Sequence, residues 1–143
     1  MLMENNQWID FQPHKKDIRK VLGDLEATVM EATWKLDKGD VKAIHQIVYK
    51  EKKVAVTTVA TILDRLHKKG LVNRNLLTTH SLRYEYSPAF TKMAFENAVV
   101  RDVFKGLLET FEDATIYYLV NELGLENRGK IDEIRKSLKR AGN

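Results

Sequence analysis

The hydrophobic period of this chain changes at one glycine, and that change constrains the fold more than any other feature. Before Gly70, Val59, Ile62, Leu63 and Leu66 recur at spacings of three and four, which predicts a helix over residues 57–69 with one buried stripe. Gly70 stands at its C-terminal end behind Lys68 and Lys69, whose charges suit the helix dipole. After Gly70 the period shortens toward two. Leu71-Val72-Asn73-Arg74 and Leu82-Arg83-Tyr84-Glu85-Tyr86 read as two strands. The segment between them, Asn75 to Ser81, reads as a link that is polar apart from Leu76 and Leu77, and Ser87-Pro88 closes the second strand.

Two helices are expected upstream. Residues 24–37 carry Leu25, Val29, Ala32 and Leu36 on one face with Met30 and Thr33 alongside. Asp24 reads as the N-cap, and Lys35, Lys38 and Gly39 read as the stop. Trp34 is assigned to the core. Residues 41–50 carry Val41, Ile44, Ile47 and Val48; His45 lies off that stripe and reads as surface, and Lys50-Glu51-Lys52-Lys53 reads as a turn. Three helices followed by a β-hairpin is the order of a winged helix-turn-helix. The fold class is therefore mostly α, with this unit over residues 21–88. Residues 1–20, polar and interrupted by Pro13, read as an arm with Trp8, Ile9 and Phe11 as anchors and a basic end at His14, Lys15, Lys16, Arg19 and Lys20, which can dock on the body or touch DNA.

Residues 89–143 read as helical throughout. Phe90, Met93, Asn97, Val100, Phe104, Leu107 and Phe111 alternate at three and four, a heptad seam with one polar position, Asn97. Further helices are expected around 113–123, with Ile116, Tyr117, Leu119, Val120 and Leu123, and, beyond Gly124, around Ile131, Ile134 and Leu138. The seam can pack on the chain's own last helices or on a second copy. Three heptads with large aromatics are hard to cover with two short helices, so a homodimer is expected.

Charge divides the chain the same way. Residues 1–88 hold 15 Lys and Arg against 11 Asp and Glu, whereas residues 89–143 hold nine of each. Within 41–83, nine basic residues face only Glu51 and Asp64. A positive stretch of this kind suits a phosphate backbone, though an ordinary solvated surface can carry it too. With no cysteine, disulfides, thiol nucleophiles and cysteine-based metal sites are excluded. The glycines stand singly, and no phosphate loop, zincin or serine-hydrolase motif is present, so the chain is not expected to be an enzyme or to need a cofactor. His14, His45, His67 and His80 are widely spaced, and no metal is expected. No apolar run is long enough for a membrane span, and residues 1–6 do not read as a secretory signal.

In a helix-turn-helix, the second motif helix enters the major groove and the first crosses the backbone. Those helices would be 57–69 and 41–50. Thr57, Thr58, Thr61, Arg65 and Lys68 lie on faces of 57–69 away from its stripe, with Thr57, Thr61 and Lys68 on one side. Threonine hydroxyls can reach phosphates or base acceptors, and Arg65 and Lys68 are long enough for a phosphate or a guanine edge. Arg74 and Arg83 on the hairpin are candidate wing contacts. A solvated helix face remains the plain alternative for all of them.

The sequence resembles the penicillinase-repressor family of BlaI and MecI, with the copper-responsive CopY repressors as relatives. The resemblance rests on Leu22-Gly23-Asp24-Leu25-Glu26-Ala27-Thr28-Val29-Met30 and Trp34. It continues through Thr57-Thr58-Val59-Ala60-Thr61-Ile62-Leu63-Asp64-Arg65-Leu66, Lys69-Gly70-Leu71-Val72 and Arg83-Tyr84-Glu85-Tyr86-Ser87-Pro88. It spans roughly residues 21–140. It implies a cytoplasmic homodimeric repressor on a pseudo-palindromic operator of double-stranded DNA, contacted chiefly by the helix matching residues 57–69 and by the wing. The best-known members are cleaved at an Asn-Phe bond in the dimerisation part. Placing that region on residues 114–121 puts Tyr118-Leu119 there, so the scissile pair is missing. The copper branch senses through cysteines, which this chain lacks. The upstream sensor is thus not named by the resemblance. Two alternatives stand beside it: a MarR-like ligand-responsive regulator, whose dimer is built from both termini, and a winged-helix module that binds protein rather than DNA.

Overall fold

The computed structural model describes residues 11–15, 17–20, 22–122, 124 and 128–141. Trp8, Ile9, Lys16 and Leu123, and the side chains of Arg19, Lys20, Ile131 and Leu138, lie outside what is described. The described chain divides into two compact units, one ending at Ala94 and the other beginning at Phe95.

In the first unit a 3-10 turn, Asp17–Lys20, precedes α1 (Asp24–Leu36), β1 (Gly39–Asp40), α2 (Val41–Glu51), α3 (Val56–Lys68), β2 (Val72–Leu77) and β3 (Arg83–Pro88). The strands form one antiparallel sheet in the order β1-β3-β2, with Gly39 opposite Tyr86 and Arg74 also opposite Tyr86 from the other side. This is the winged helix-turn-helix expected from the change of period. Its core is made by one face of each helix and the base of the hairpin: Val29, Met30, Ile44, Val48, Val59, Leu63, Leu66, Leu71, Val72 and Tyr86 are all buried. Burying large aliphatic side chains contributes about 1.5–3 kcal/mol each, which fixes the faces the three helices turn inward.

Several boundaries differ from the sequence reading. Asp24 is the first residue of α1 rather than its cap; Gly23 takes the cap position, and no side chain bonds there. The stop is Asp37, with φ 68, whose amide donates to the Thr33 carbonyl. Gly39 instead enters β1, a strand the sequence did not reveal. Asp40 caps α2, its carboxylate accepting from the Ala43 amide at 2.9 Å, and α2 continues through Glu51. His45 is not a plain surface residue. It is half-buried, and its Nε2 donates to the Val54 carbonyl at 2.7 Å, pinning the turn between α2 and α3. The hairpin is longer than read: Asn75, Leu76 and Leu77 belong to β2, paired with Glu85, Tyr84 and Arg83. Trp34 is half-buried, and its indole donates to the Phe90 carbonyl at 2.9 Å.

Helix α4 (Lys92–Thr110) follows the hairpin and carries the chain into the second unit, where α5 (Glu112–Asn121) and α6 (Arg128–Ala141) succeed it. The Thr91 hydroxyl accepts from the Ala94 amide and so caps α4. Arg135 on α6 donates to Glu112 Oε1 at 2.6 Å. The residues of α4 that are buried are Phe95, Ala98 and Leu108, none of them in the heptad seam. No described helix is long and apolar enough to cross a membrane.

Candidate nucleic-acid interface

The geometry of α3 follows from its stripe. Val59, Ile62, Leu63 and Leu66 are all buried, so the opposite faces must point outward. Thr57, Thr61, Arg65 and Lys68 are exposed there, and Thr58 is half-buried. At 100° per residue, Thr57, Thr61, Asp64 and Lys68 share one face, with Arg65 at its edge. The structure thus brings together the α3 residues singled out in the sequence, and adds Asp64 in their midst.

The start of α3 has no side-chain cap. Ala55 takes that position, and the amides of Thr58 and Val59 turn back to its carbonyl at 3.1 and 3.2 Å. The Thr61 hydroxyl donates to the Thr57 carbonyl at 3.0 Å, which leaves its oxygen lone pairs facing outward as acceptors. At the far end Gly70 adopts φ 78. Its amide donates to His67 and that of Leu71 to Leu66, closing the helix and turning the chain into the wing.

The basic residues of this surface are each held by a carboxylate of the same unit. Arg65 stands 3.8 Å from Glu26, which also receives Lys69 at 2.6 Å. Lys68 stands 3.0 Å from one oxygen of Asp64, and Arg74 stands 3.1 Å from the other. Arg83 lies 3.3 Å from Asp40 and donates to the Thr79 carbonyl at the wing tip. The Arg74 guanidinium also covers the Tyr84 ring at 4.3 Å. The Tyr86 side chain first, and the hydrogen bond to Asp64 after it, hold Arg74 above its ordinary range. Hydrogen bonds from Lys68 first and Arg74 second hold the Asp64 carboxyl below the usual carboxylate range. Exposed pairs of this kind contribute little to stability, but they fix where each cation rests.

Beyond these pairs Leu76, Tyr84 and Leu82, on either side of the polar hairpin tip, are exposed, the last at 76%. Sequence reasoning did not single out Glu26, Asp40 or Asp64 as partners. The seam residues fall as follows. Met93, Asn97, Val100 and Leu107 are exposed on α4, with Met93 at 72% and Val100 at 56%, and Phe104 is half-buried. Phe90 lies in the turn before α4 rather than in a helix, and Phe111 sits between α4 and α5 with 59% exposure.

The model of the penicillinase repressor family matches residues 22–140, which span the winged helix, α4, α5 and all but the last residue of α6. The chain belongs to that family. Within the penicillinase repressors, it is 28% identical over 123 residues to the transcriptional regulator BlaI of Mycobacterium tuberculosis. The match covers 82% of this chain and 82% of the relative, and it is the same for strains CDC 1551 / Oshkosh and ATCC 25618 / H37Rv. As a penicillinase-repressor chain it is placed among transcriptional regulators.

Proposed function

We propose that this chain is a sequence-specific repressor that binds a pseudo-palindromic operator in double-stranded DNA as a homodimer. The single observation that carries the reading is the outer side of α3. It presents Thr57, Thr61, Arg65 and Lys68 to solvent opposite a fully buried stripe, with a hairpin beside it. Thr57, Thr58 and Thr61 lie in the first turns of α3, where a recognition helix meets base edges. Arg65 and Lys68 lie further along, within reach of backbone phosphates. Arg74 and Arg83 place two further cations on the wing, for backbone or minor-groove contact.

Residues 21–88 act as the DNA-binding domain and 89–143 as the dimerisation domain. The exposed row Met93, Asn97, Val100 and Leu107 supports the second assignment, since a soluble monomer gains nothing by displaying it. Phe104 adds to that row, and Phe90 and Phe111 flank it at the two ends of α4. Asn97 fixes the register of the pair at some cost in stability. The protein works in the cytoplasm, where its DNA lies. A gel-shift titration on the promoter region of its own gene at low salt tests the reading. A retarded complex that weakens steeply as salt rises is expected. The absence of any complex at low salt, from folded protein, overturns it.

A further inference from the structure

On a face that would meet a polyanion, one acidic residue stands out. Asp64 is the only Asp or Glu in α3, and it lies between Thr57, Thr61 and Lys68 on their common face. An ionised carboxylate there repels phosphate unless something neutralises it. It is neutralised twice: Oδ2 takes Lys68 at 3.0 Å, and Oδ1 takes Arg74 at 3.1 Å. The Lys68 side chain is 75% exposed, so a phosphate could reach it but for the pair, whereas Arg74 is 26% exposed and stacked on Tyr84. One carboxylate therefore occupies the place between two cations that a DNA phosphate would otherwise fill.

We infer that Asp64 is a specificity-determining residue, an internal counter-anion that holds Lys68 and Arg74 back from phosphates and so lowers affinity for DNA of random sequence. The inference rests on the DNA-binding reading above. Backbone attraction carries almost all non-specific binding. A carboxylate that competes with phosphate for two cations acts on that part of the affinity. Operator binding, which adds base contacts from the first turns of α3, suffers the same competition but keeps its own gain. The ratio of the two affinities is what Asp64 widens. A carboxylate can instead accept from a cytosine amino group, and the test separates the two roles.

The experiment measures binding of the full chain to operator and to random-sequence duplex by fluorescence anisotropy across a salt series. The variants are Asp64→Asn, Lys68→Ala, their combination, and Glu109→Gln, the same charge change at an exposed position of α4. For Asp64→Asn, affinity for random DNA is expected to rise about 3- to 10-fold at low salt. The slope of log K against log salt is expected to steepen by about 0.9 for each cation released to phosphate. Lys68→Ala should remove most of that gain, and Glu109→Gln should show none. If Asp64→Asn proves unable to fold, Asp64→Ser serves in its place. Unchanged or weaker binding to random DNA by a folded variant overturns the inference, as does a gain that survives Lys68→Ala. A loss confined to one operator position would assign Asp64 to base reading and overturn it too. If the unaltered chain binds no DNA, it is the underlying reading that fails, and the counter-anion role falls with it.

Discussion

The amide of Leu71 donates to the carbonyl of Leu66 across 2.9 Å, and both side chains are buried. This bond and its neighbour from Gly70 to His67 close α3 and set the direction in which the wing leaves it. The closure depends on Gly70 at φ 78, where a Cβ would meet no atom within 4 Å. The cost of Gly70→Ala is therefore conformational rather than steric, about 1 kcal/mol. Urea denaturation followed by circular dichroism should show a lower midpoint with an unchanged slope. An unaltered midpoint would mean that the turn does not depend on the glycine.

Arg65 lies at the edge of the outer face of α3, and its side chain is 53% exposed. Arg65→Ala is expected to weaken operator binding by about 1–3 kcal/mol if the guanidinium reads a base. In that case discrimination relaxes at a single operator position. A loss of equal size on operator and random DNA assigns the residue to phosphate. Competition binding against operators altered one position at a time distinguishes them.

The exposed row on α4 makes a clear expectation about mass. One chain is 16.6 kDa, and light scattering at micromolar concentration should return twice that. Val100→Asp together with Leu107→Asp should return the single-chain mass with the helix content retained, because both side chains are exposed in the single chain. The same variant should lose at least 10-fold in operator affinity, since two half-sites bound by one dimer share one association step. A dimer that persists would move the interface elsewhere.

Asp64 gives an expectation in pH. Its carboxyl is held below the usual range by Lys68 first and Arg74 second. A native value below the unfolded one, which is about 3.9, means stabilisation that is present above that value and is lost as pH falls through the native one. The thermal midpoint of the unaltered chain should therefore exceed that of Asp64→Asn at neutral pH. The difference should close as pH falls below about 4. Calorimetry from neutral pH downward checks this, and a difference independent of pH would contradict it.

Much of the fold was legible because its signal is local. The stripe of Val59, Ile62, Leu63 and Leu66, and the change of period after Gly70, needed no knowledge of the rest of the chain. What the sequence did not disclose depends on distant pairing. β1 is two residues long and exists because Gly39 and Asp40 lie beside Tyr86 and Glu85. Asp37 ends α1 at positive φ although a glycine stands two residues on. The site divides similarly. The outward residues of α3 followed from the inward ones, but the partners of its cations did not. Glu26 and Lys69 are 43 residues apart, and only topology joins them. On α4 apolar residues point in more than one direction, and the heptad reading took Met93, Val100 and Leu107 while passing over Phe95, Ala98 and Leu108. Periodicity identifies a face without saying what covers it.

A homodimeric repressor must lie along its operator with one recognition helix in each half-site. A DNase footprint of its own promoter region, with the full chain at low salt, measures this. Two protected half-sites of related, inverted sequence are expected, their centres about 34 Å apart or a multiple of that spacing. Protection of a lone half-site, or none at all with folded protein, would contradict it.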